Sequence, residues 1–343
     1  METKAILVRL PNWVGDVVMA TPLLRALYKS HPKSTISLLG KPFFFDLLKG
    51  LPYFNEYIPI NAKKNLKQFF ELRHSRFDKV FLCPNSFSSA FEGVLSGARE
   101  IIGYDRTMRS LLLTHAIPIS PIHFQGKICT LAMHRYYMNL LTPSQWKSED
   151  LKLELRINNE DDFKIQSFLQ KNNIQEKKYV VLAPGANFGS SKLWIEERWI
   201  ELASQIEKNF GYSIIFTGSP TENKLLSKLE YVANNKFTTT RSTSMTLGLL
   251  KSLIHKAACL ISLDTGPRHI GAAFNIPTVV LMGPNHPGLS DTDHALTDVI
   301  LEKVECSPCH KKVCPFEHHK CMTHISVSKV LNQCERLLKD LKC

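Results

Sequence analysis

Three short loops of this sequence combine charged side chains with residues that let the backbone approach a ligand. The first, residues 12–16 (NWVGD), follows the apolar run AILVRL and precedes an amphipathic segment. Asp16 has two interpretations, because Asp is a favoured helix cap and because a helix start keeps a carboxylate ionised, as a base requires. Trp13 is likewise either an aromatic platform for a ligand or a core residue.

The second loop, residues 184–194 (PGANFGSSKLW), joins a predicted strand to a predicted helix. Glycine lets the backbone come close to a ligand, hydroxyl and amide groups can bond to it, and a lysine can meet a phosphate. The candidates for such contacts are Gly185, Asn187, Ser190, Ser191 and Lys192. The alternative is an ordinary strand-to-helix turn with a solvated lysine.

The third loop, residues 264–269 (DTGPRH), lies between the apolar run CLISL and the helical segment IGAAF. A helix start offers unpaired backbone N–H groups and the positive end of the helix dipole, and together these bind anions. The candidates here are Asp264, Thr265, Gly266 and His269. His269 taken alone would be more typical of a structural histidine.

A shorter signal is residues 218–222 (GSPTE), after the apolar run YSIIFT. A carboxylate at such a strand end often accepts hydrogen bonds from ribose hydroxyls, which makes Gly218 and Glu222 candidates for nucleotide contacts. A surface turn is an equally good interpretation. The sequence contains neither G-x-G-x-x-G nor G-x-x-x-x-G-K-[ST], which disfavours a dinucleotide oxidoreductase and a P-loop nucleotidase.

The elements that must position these loops alternate between strands and helices, which indicates parallel βαβ units. Because the pattern starts twice, the fold class is α/β, with two Rossmann-like doubly wound parallel-sheet domains facing across a cleft. We also expect Pro22 to disturb the first helix and Asn159 to cap the helix that opens the second half. Strands are predicted at residues 5–10, 35–39, 79–83, 179–183, 212–217, 259–263 and 278–282, and helices at residues 159–171, 196–209 and 326–342.

The length of 343 residues suits two domains. The net charge of +12 reflects either diffuse surface lysines or attraction to an acidic ligand or an anionic lipid surface. No nucleic-acid-binding signature accompanies the charge, so no nucleic-acid partner is expected. No apolar run approaches the roughly 18 residues that span a bilayer, and the N-terminus lacks a secretory signal. We therefore expect a cytoplasmic protein.

Four cysteines cluster late in the chain with the spacing C-x2-C-x4-C-x6-C: Cys306, Cys309, Cys314 and Cys321. Four sulfurs at short spacing suit a structural zinc ion or an iron–sulfur cluster. The spacing departs from the usual pair of C-x2-C motifs, and reduced cysteines in a loop are the alternative. A metal bound there would be structural rather than catalytic.

Together the loops resemble glycosyltransferase family 9, the ADP-heptose:lipopolysaccharide heptosyltransferases, and within it the heptosyltransferase II type. The segments that carry the resemblance are RLPNWVGDVVMATPLLRAL, APGANFGSSKLWIEERW and SLDTGPRHIGAAF. Their order and spacing are more specific than any one of them, and the resemblance runs from Ile6 to about Val327.

The resemblance implies a GT-B fold, with residues 1–160 as the acceptor-binding domain and residues 161–325 as the nucleotide-sugar-binding domain. Residues 326–343 would form a C-terminal helix that packs back on the first domain. Asp16 would be the general base and Lys192 the diphosphate contact, with no cofactor required for catalysis.

Other site residues follow from the same resemblance. Asp264, Thr265, Gly266 and His269 would line the sugar and phosphates of the donor, and Glu222 would lie near its ribose. The residues expected to contact the acceptor are Trp13, Arg106 and Arg109.

The implied activity is inverting transfer of L-glycero-D-manno-heptose from ADP-heptose to the inner core of lipopolysaccharide, as the second heptose. The implied acceptor is lipid A–Kdo–heptose, and the charge suits peripheral contact with the inner face of the inner membrane. The alternatives are a GT-B glycosyltransferase with another nucleotide sugar and a non-catalytic nucleotide-sugar-binding protein. A metal-sensing or nucleic-acid-binding protein would leave the three loops unexplained.

Overall fold

Two parallel sheets of six strands each organise the chain, one in the unit Met1–Arg156 and one in the unit Ile157–Cys343. The computed structural model describes residues 3–60, 66–106, 108–119, 122–124, 127–129 and 131–340. The end of the predicted C-terminal helical segment, residues 341–343, lies outside the described residues. The predicted α/β fold with two doubly wound sheets is confirmed.

The first unit contains, in chain order, β1 (Ala5–Arg9), α1 (Val14–Met19), α2 (Thr21–Ser30), β2 (Thr35–Gly40), α3 (Phe44–Leu48), β3 (Glu56–Pro59), α4 (Leu66–Glu71), β4 (Lys79–Leu82), α5 (Phe87–Leu95), β5 (Glu100–Tyr104), β6 (His115–Ile117), β7 (Ile122–Phe124), β8 (Lys127–Cys129) and α6 (Met133–Met138).

The second unit contains α7 (Asn159–Lys171), β9 (Tyr179–Ala183), α8 (Glu196–Phe210), β10 (Ser213–Phe216), α9 (Asn223–Val232), β11 (Thr238–Thr239), α10 (Leu247–His255), β12 (Cys259–Leu263), α11 (Gly266–Ala273), β13 (Thr278–Met282), α12 (Pro287–Ser290), β14 (Thr297–Leu301), α13 (Lys320–Thr323) and α14 (Val327–Asp340).

Both sheets have the same strand order. The first is β3-β2-β1-β4-β5-β6 and the second is β11-β10-β9-β12-β13-β14. In each, the order reverses next to the first strand, and ligands of open parallel sheets bind at that switch point, beyond the carboxyl ends of the strands. The loops after β1 and β4, and those after β9 and β12, are therefore where ligands are expected to bind.

The central strands of the second sheet are buried along their whole length, as in β9, β12 and β13. Helices cover both faces of a doubly wound sheet, so such strands are apolar runs rather than alternating patterns. This is why the sequence predicted β9, β12 and β13 with their observed bounds.

Pro22 breaks the first long helical segment, as predicted. The segment divides into α1 and α2, with Ala20 between them. Pro22 has no N–H to donate to the carbonyl of Val18. The hydroxyl of Thr21 donates to that carbonyl instead, at 2.7 Å, and accepts a hydrogen bond from the backbone N–H of Glu154 at 3.1 Å.

The cap of α7 differs from expectation by one residue. It is Asn158, whose side chain accepts a hydrogen bond from the N–H of Asp161 at 3.0 Å, so the prediction of Asn159 as the cap was wrong. The C-terminal helix α14 packs on α8, β12 and β13 of the second unit, and its packing on the first domain stays a prediction. A stripe on α14 buries Val330 and Cys334 in that core.

Among the residues that the structure describes, no helix is both long and apolar enough to cross a membrane.

The Thr21 hydroxyl is open to a direct test. Thr21→Val keeps the side-chain shape but removes a buried hydroxyl with two partners. We expect it to lower the free energy of unfolding by about 1–3 kcal/mol, the cost of leaving buried polar groups unsatisfied. The measurement is urea unfolding of the wild type and the variant.

The matched control is Ser30→Ala, which removes an exposed hydroxyl that bonds to the carbonyl of Ala26 in the same helix. It should change stability by less than about 0.5 kcal/mol. Equal effects of the two substitutions would contradict the role given to Thr21.

Candidate functional site

The two most promising loops of the second unit follow neighbouring strands. Residues 184–194 follow β9 and residues 264–269 follow β12, and these strands pair in parallel, with Cys259 opposite Val180. Their carboxyl ends therefore meet at one edge of the sheet, at the switch point of the strand order. The structure brings together residues that lie about 70 positions apart, such as Lys192 and Asp264.

A buried ion pair joins the two loops. The ammonium of Lys192 donates to the carboxylate of Asp264 at 2.9 Å and to its backbone carbonyl at 2.5 Å. Both side chains are less than a tenth exposed. The ring of Phe188 lies 5.0 Å from the Lys192 ammonium and covers it from another side. The interpretation of Lys192 as a solvated lysine is therefore wrong.

Asp264 is the centre of a larger network. Arg268, one turn further along α11, donates to its second carboxylate oxygen at 2.9 Å, and Asn285 donates to the first at 3.0 Å. Burial by itself would raise the pKa of Asp264, but the charges of Lys192 and Arg268 outweigh burial and hold that pKa below its usual range. The carboxylate is therefore ionised at any pH near neutral.

The start of α11 lies directly after this carboxylate. Thr265 is the cap position with an extended backbone, and Gly266 begins the helix. Thr265 makes no side-chain capping bond, so its hydroxyl does not block the helix start. His269 is buried within the helix. The N–H of Thr265 donates to the carbonyl of Leu263 at 2.7 Å and Pro267 has no N–H, so an anion at this start would meet the N–H of Gly266 and the nearby cations of Lys192 and Arg268.

Glu222 lies against the loop of residues 184–194, at the same edge of the second sheet. Its carboxylate caps its own turn, because one oxygen accepts hydrogen bonds from the N–H and the hydroxyl of Ser219 at 2.7 and 2.8 Å. The other oxygen faces Gly185 so closely that a Cβ at Gly185 would collide with it. Gly218 lies beneath the same side chain. The glycine at 185 is thus required for Glu222 to approach β9.

The hydroxyl of Thr221 also reaches this loop, donating to the side chain of Asn187 at 3.3 Å. Asn187 and Ser190 are both exposed, so their polar groups can meet a ligand from solvent. Asn187 and Ser190 remain candidate ligand contacts, and both are accessible from solvent.

Ser191 has a different position from Ser190. It is buried, its hydroxyl donates to the carbonyl of Lys311 at 2.6 Å, and its N–H donates to the carbonyl of Lys312 at 3.0 Å. These partners fully explain its polarity, so we reassign Ser191 from a ligand contact to an anchor of the loop. Gly189 presses against the same carbonyl of Lys312, with a φ of 156°.

The cysteine-rich segment, residues 306–321, therefore supports the loop that carries Lys192. Its four cysteines, Cys306, Cys309, Cys314 and Cys321, are free thiols that line one small cavity. Burial and the three neighbouring thiols raise the pKa of Cys321 to about 11. Within the described residues, no group of three or more His, Cys, Asp or Glu side chains is arranged as a metal ligand set. The expectation of a structural zinc ion or iron–sulfur cluster is thus not supported.

In the first unit, Asp16 lies inside the first turn of α1, two residues after the helix begins. The cap position belongs to Trp13, and no side chain caps the helix. The interpretation of Asp16 as a helix cap is therefore wrong, although the helix dipole still favours its ionised form. Asp16 is partly buried, and its charge is felt by the buried groups of Cys83 and Tyr137.

Trp13 is not a core residue. Half of its surface is exposed, and the ammonium of Lys41 lies 6.0 Å from its ring centroid. Lys41 also donates to the carbonyl of Asn12 at 2.9 Å. An exposed aromatic ring beside a cation is compatible with an acceptor platform.

A second buried ion pair holds the loop of residues 12–16 in the first unit. Arg9, at the end of β1, pairs with Glu92 of α5 at 2.9 Å, and both side chains are nine-tenths buried. The same guanidinium donates to the carbonyl of Leu10 at 2.6 Å and to the side chain of Asn12 at 3.3 Å. This function of Arg9 was not predicted from the sequence. The available signal was a charged residue inside a buried strand, since a buried charge is almost always paired.

Arg109 and Arg106 differ in burial. Arg109 is fully buried, and its guanidinium donates to the carbonyls of Tyr104 and Pro84 at 2.9 and 2.5 Å. The prediction that Arg109 contacts an acceptor was therefore wrong, because its donors are used to join the loops after β4 and β5. Arg106 is exposed at the same edge and remains a candidate.

Comparisons with known proteins bear on this arrangement. The sequence model described as glycosyltransferase family 9 (heptosyltransferase) matches residues 66–320. Lipopolysaccharide heptosyltransferase 2 of Escherichia coli K12 is 26% identical over 350 residues, covering 97% of this chain and 98% of that protein. Lipooligosaccharide heptosyltransferase 2 of Campylobacter jejuni is 26% identical over 345 residues, covering 98% of each.

A solved structure shares the fold. The structure of E. coli ADP-heptose LPS heptosyltransferase II superposes with a TM-score of 0.82 at 23% identity, covering 99% of this chain and 100% of that one.

The network around Asp264 generates a stability prediction. Asp264→Asn leaves Lys192 and Arg268 buried without their carboxylate. Removing one partner of a buried ion pair costs about 3–5 kcal/mol, and we expect a loss of that size in urea unfolding. The control Glu302→Gln breaks the solvent-exposed pair with Lys329 and should cost less than about 1 kcal/mol.

The lowered pKa of Asp264 also predicts how the stability difference between the wild type and Asp264→Asn depends on pH. Because the folded-state pKa of Asp264 is lowered, its stabilisation is fully present above the unfolded value of about 3.9 and is lost as the pH falls towards the folded value. The stability difference between wild type and Asp264→Asn should stay constant from about pH 5 to pH 8. A difference that declines across that range would contradict the assignment.

Proposed function

Because the chain belongs to glycosyltransferase family 9, the heptosyltransferase family, we propose that it transfers heptose from ADP-heptose to the inner core of lipopolysaccharide. It is thus a glycosyltransferase, and its two doubly wound sheets are those of the GT-B class. The observation that carries the substrate proposal is the buried network of Lys192, Asp264 and Arg268 at the start of α11. A nucleotide diphosphate is the kind of anion that such a site attracts.

In this proposal, the second unit binds the nucleotide sugar. The diphosphate lies at the start of α11, where Gly266 presents its backbone N–H group, while the N–H of Thr265 already donates to the carbonyl of Leu263 at 2.7 Å. Asp264 uses two of the three N–H donors of Lys192, and the remaining donor is available to a phosphate oxygen. Asp264 thus orients Lys192 rather than neutralising it entirely, since the network holds two cations and one carboxylate.

The remaining donor contacts surround this centre. Glu222, held against Gly185, is proposed to lie near the ribose, and Gly218 leaves room for it. Ser190 and Asn187 are proposed to contact the donor from the exposed side of the loop. His269 is proposed to act with the start of α11.

The first unit binds the acceptor in this proposal. Trp13 supplies an exposed aromatic face for a sugar, and Arg106 supplies a cation for the acidic groups of the Kdo and phosphorylated heptose. The acceptor is lipid A–Kdo–heptose, the transferred sugar is the second heptose, and the protein acts at the cytoplasmic face of the inner membrane.

The chemistry is an inverting displacement. The carboxylate of Asp16 takes the proton from an acceptor hydroxyl while the oxygen forms a bond to the anomeric carbon of heptose. The bond from that carbon to the diphosphate breaks on the opposite face, and its electron pair goes to ADP. Lys192 and the N–H groups of α11 are already oriented towards the charge that develops on the diphosphate, which is electrostatic preorganisation.

The general base is tested by Asp16→Asn. We expect transfer to fall by roughly 10²–10⁴-fold, the range that general-base catalysis contributes, with folding and ADP binding almost unchanged. Transfer is measured by incubating the enzyme with ADP-heptose and defined core acceptors and reading the product mass. The control is Asp46→Asn, which removes another first-turn carboxylate, on α3. Full activity of Asp16→Asn would remove Asp16 from the mechanism.

The donor site is tested by Lys192→Ala. We expect a higher KM for ADP-heptose and a lower kcat, because Lys192 contacts the diphosphate both before and during bond cleavage. Thermal-shift titrations of the wild type with ADP, GDP and UDP identify the nucleotide, and ADP should give the largest shift. A larger shift with GDP or UDP would replace ADP-heptose by another nucleotide sugar, and unchanged kinetics of Lys192→Ala would refute its phosphate role.

A further inference from the structure

The ammonium of Lys41 lies at the carboxyl edge of the first sheet. Lys41 directly follows β2, and β2 pairs in parallel with β1, so Lys41 is next to the loop that carries Trp13 and Asp16. Its ammonium donates to the carbonyl of Asn12 in that loop at 2.9 Å. This hydrogen bond keeps the charge of Lys41 beside the residues proposed to meet the acceptor.

Three aromatic rings lie near the same ammonium. Its distances to the ring centroids of Trp13, Phe43 and Phe44 are 6.0, 5.7 and 6.0 Å. Phe44 is buried, whereas Trp13 and Phe43 are 50% and 48% exposed. Aromatic rings at this distance attract a cation, and they also displace water from it. A ligand that reaches the exposed rings therefore meets a cation that has already lost part of its hydration.

Among the described residues, no carboxylate pairs with Lys41. The neighbouring charge is that of Arg9, which is also positive and is already paired with Glu92 at 2.9 Å. Burial, together with the charge of Arg9, lowers the pKa of Lys41. An anion bound at Lys41 would raise that pKa again, because an opposite charge favours the protonated form. The surroundings of Lys41 thus favour an anionic ligand.

The backbone of Lys41 is held as well as its ammonium. The hydroxyl of Tyr57 donates to the carbonyl of Lys41 at 2.5 Å. The packing there is tight, because a Cβ at Gly40 would lie 2.7 Å from that hydroxyl. The carbonyl of Asn12 accepts one of the three N–H groups of the ammonium, which leaves two donors for a ligand.

We propose that Lys41 binds an anionic group of the acceptor, a carboxylate or a phosphate, and so selects acceptors that carry one. This inference rests on the proposed function, in which the first unit binds the acceptor and Asp16 is the base. The strand order β2-β1-β4-β5 places Lys41 and Arg106 on opposite sides of Asp16. An acceptor with two anionic groups is then held on both sides of the attacking hydroxyl, with a sugar ring on Trp13.

The test measures binding of a phosphorylated Kdo–heptose oligosaccharide, freed of lipid A, to the full chain by isothermal titration calorimetry. Lys41→Met keeps most of the side-chain length but removes the charge. We expect it to weaken binding roughly 10–100-fold, the range for a hydrogen bond between charged groups. Lys41→Arg keeps the charge and should recover part of the affinity.

Two modified oligosaccharides identify the anionic group that Lys41 binds. One has its carboxylates converted to carboxamides, and the other is dephosphorylated. Wild type and Lys41→Met should bind equally to the form that lacks the group in question, and either form can give this result. If Lys41 only held its loop through Asn12, the substitution would weaken binding of all three oligosaccharides alike, and that outcome would overturn the proposal.

The matched control is Lys79→Met. Lys79 begins β4, at the opposite edge of the sheet, and pairs with Glu100 at 3.2 Å. The control lowers the net charge by the same amount as Lys41→Met, and it should bind the unmodified oligosaccharide as wild type does. Equal weakening by the two substitutions would assign the effect to net charge and overturn the proposal.

Transfer assays separate this inference from the proposed function. Lys41→Met should raise the KM for the unmodified acceptor and leave the KM for ADP-heptose unchanged. A wild type that transfers no heptose would count against the proposed function, and oligosaccharide binding would still decide the role of Lys41. Equal binding by wild type and Lys41→Met, or a higher KM for ADP-heptose instead of the acceptor, would overturn the role given to Lys41.

Discussion

The buried charges of Lys192, Asp264 and Arg268 impose the main constraint on this protein. A lysine taken out of water must have a partner, and the carboxylate of Asp264 is that partner only if the loops after β9 and β12 lie side by side. The strand order of the second sheet provides this arrangement. The network has one more positive than negative charge, which prepares the start of α11 for an anion.

Other features of the second unit follow from keeping Lys192 in place. The turn before it is bonded through Ser191 to carbonyls of the cysteine-rich segment, and Gly189 allows that segment to come close. Glu222 lies against Gly185 at the start of the same loop. Contacts at both ends of the loop thus hold it before any ligand arrives, and a preorganised cation is worth more to a reaction than a mobile one.

In the first unit, too, buried charged residues hold the loops at the carboxyl ends of the strands. The buried pair of Arg9 and Glu92 holds the loop before Asp16, and Arg109 joins the two loops on the other side of the switch point. In both units, buried charged residues at the carboxyl ends of the strands fix the loops. Trp13 and Arg106 are left at the surface, and they are among the residues proposed to meet the acceptor.

The sequence by itself determined the fold class, the strands β9, β12 and β13, the break at Pro22 and the family, because each depends on local pattern or on motifs that are continuous along the chain. It also predicted roles in chemistry for Asp16, Lys192 and Asp264, and these roles stay predictions. It could not decide whether a given charge is buried or exposed, because that depends on residues far away in the chain. Only the tertiary structure paired Lys192 with Asp264 across 72 positions, moved Arg109 and Ser191 from ligand contacts to structural supports, and exposed Trp13.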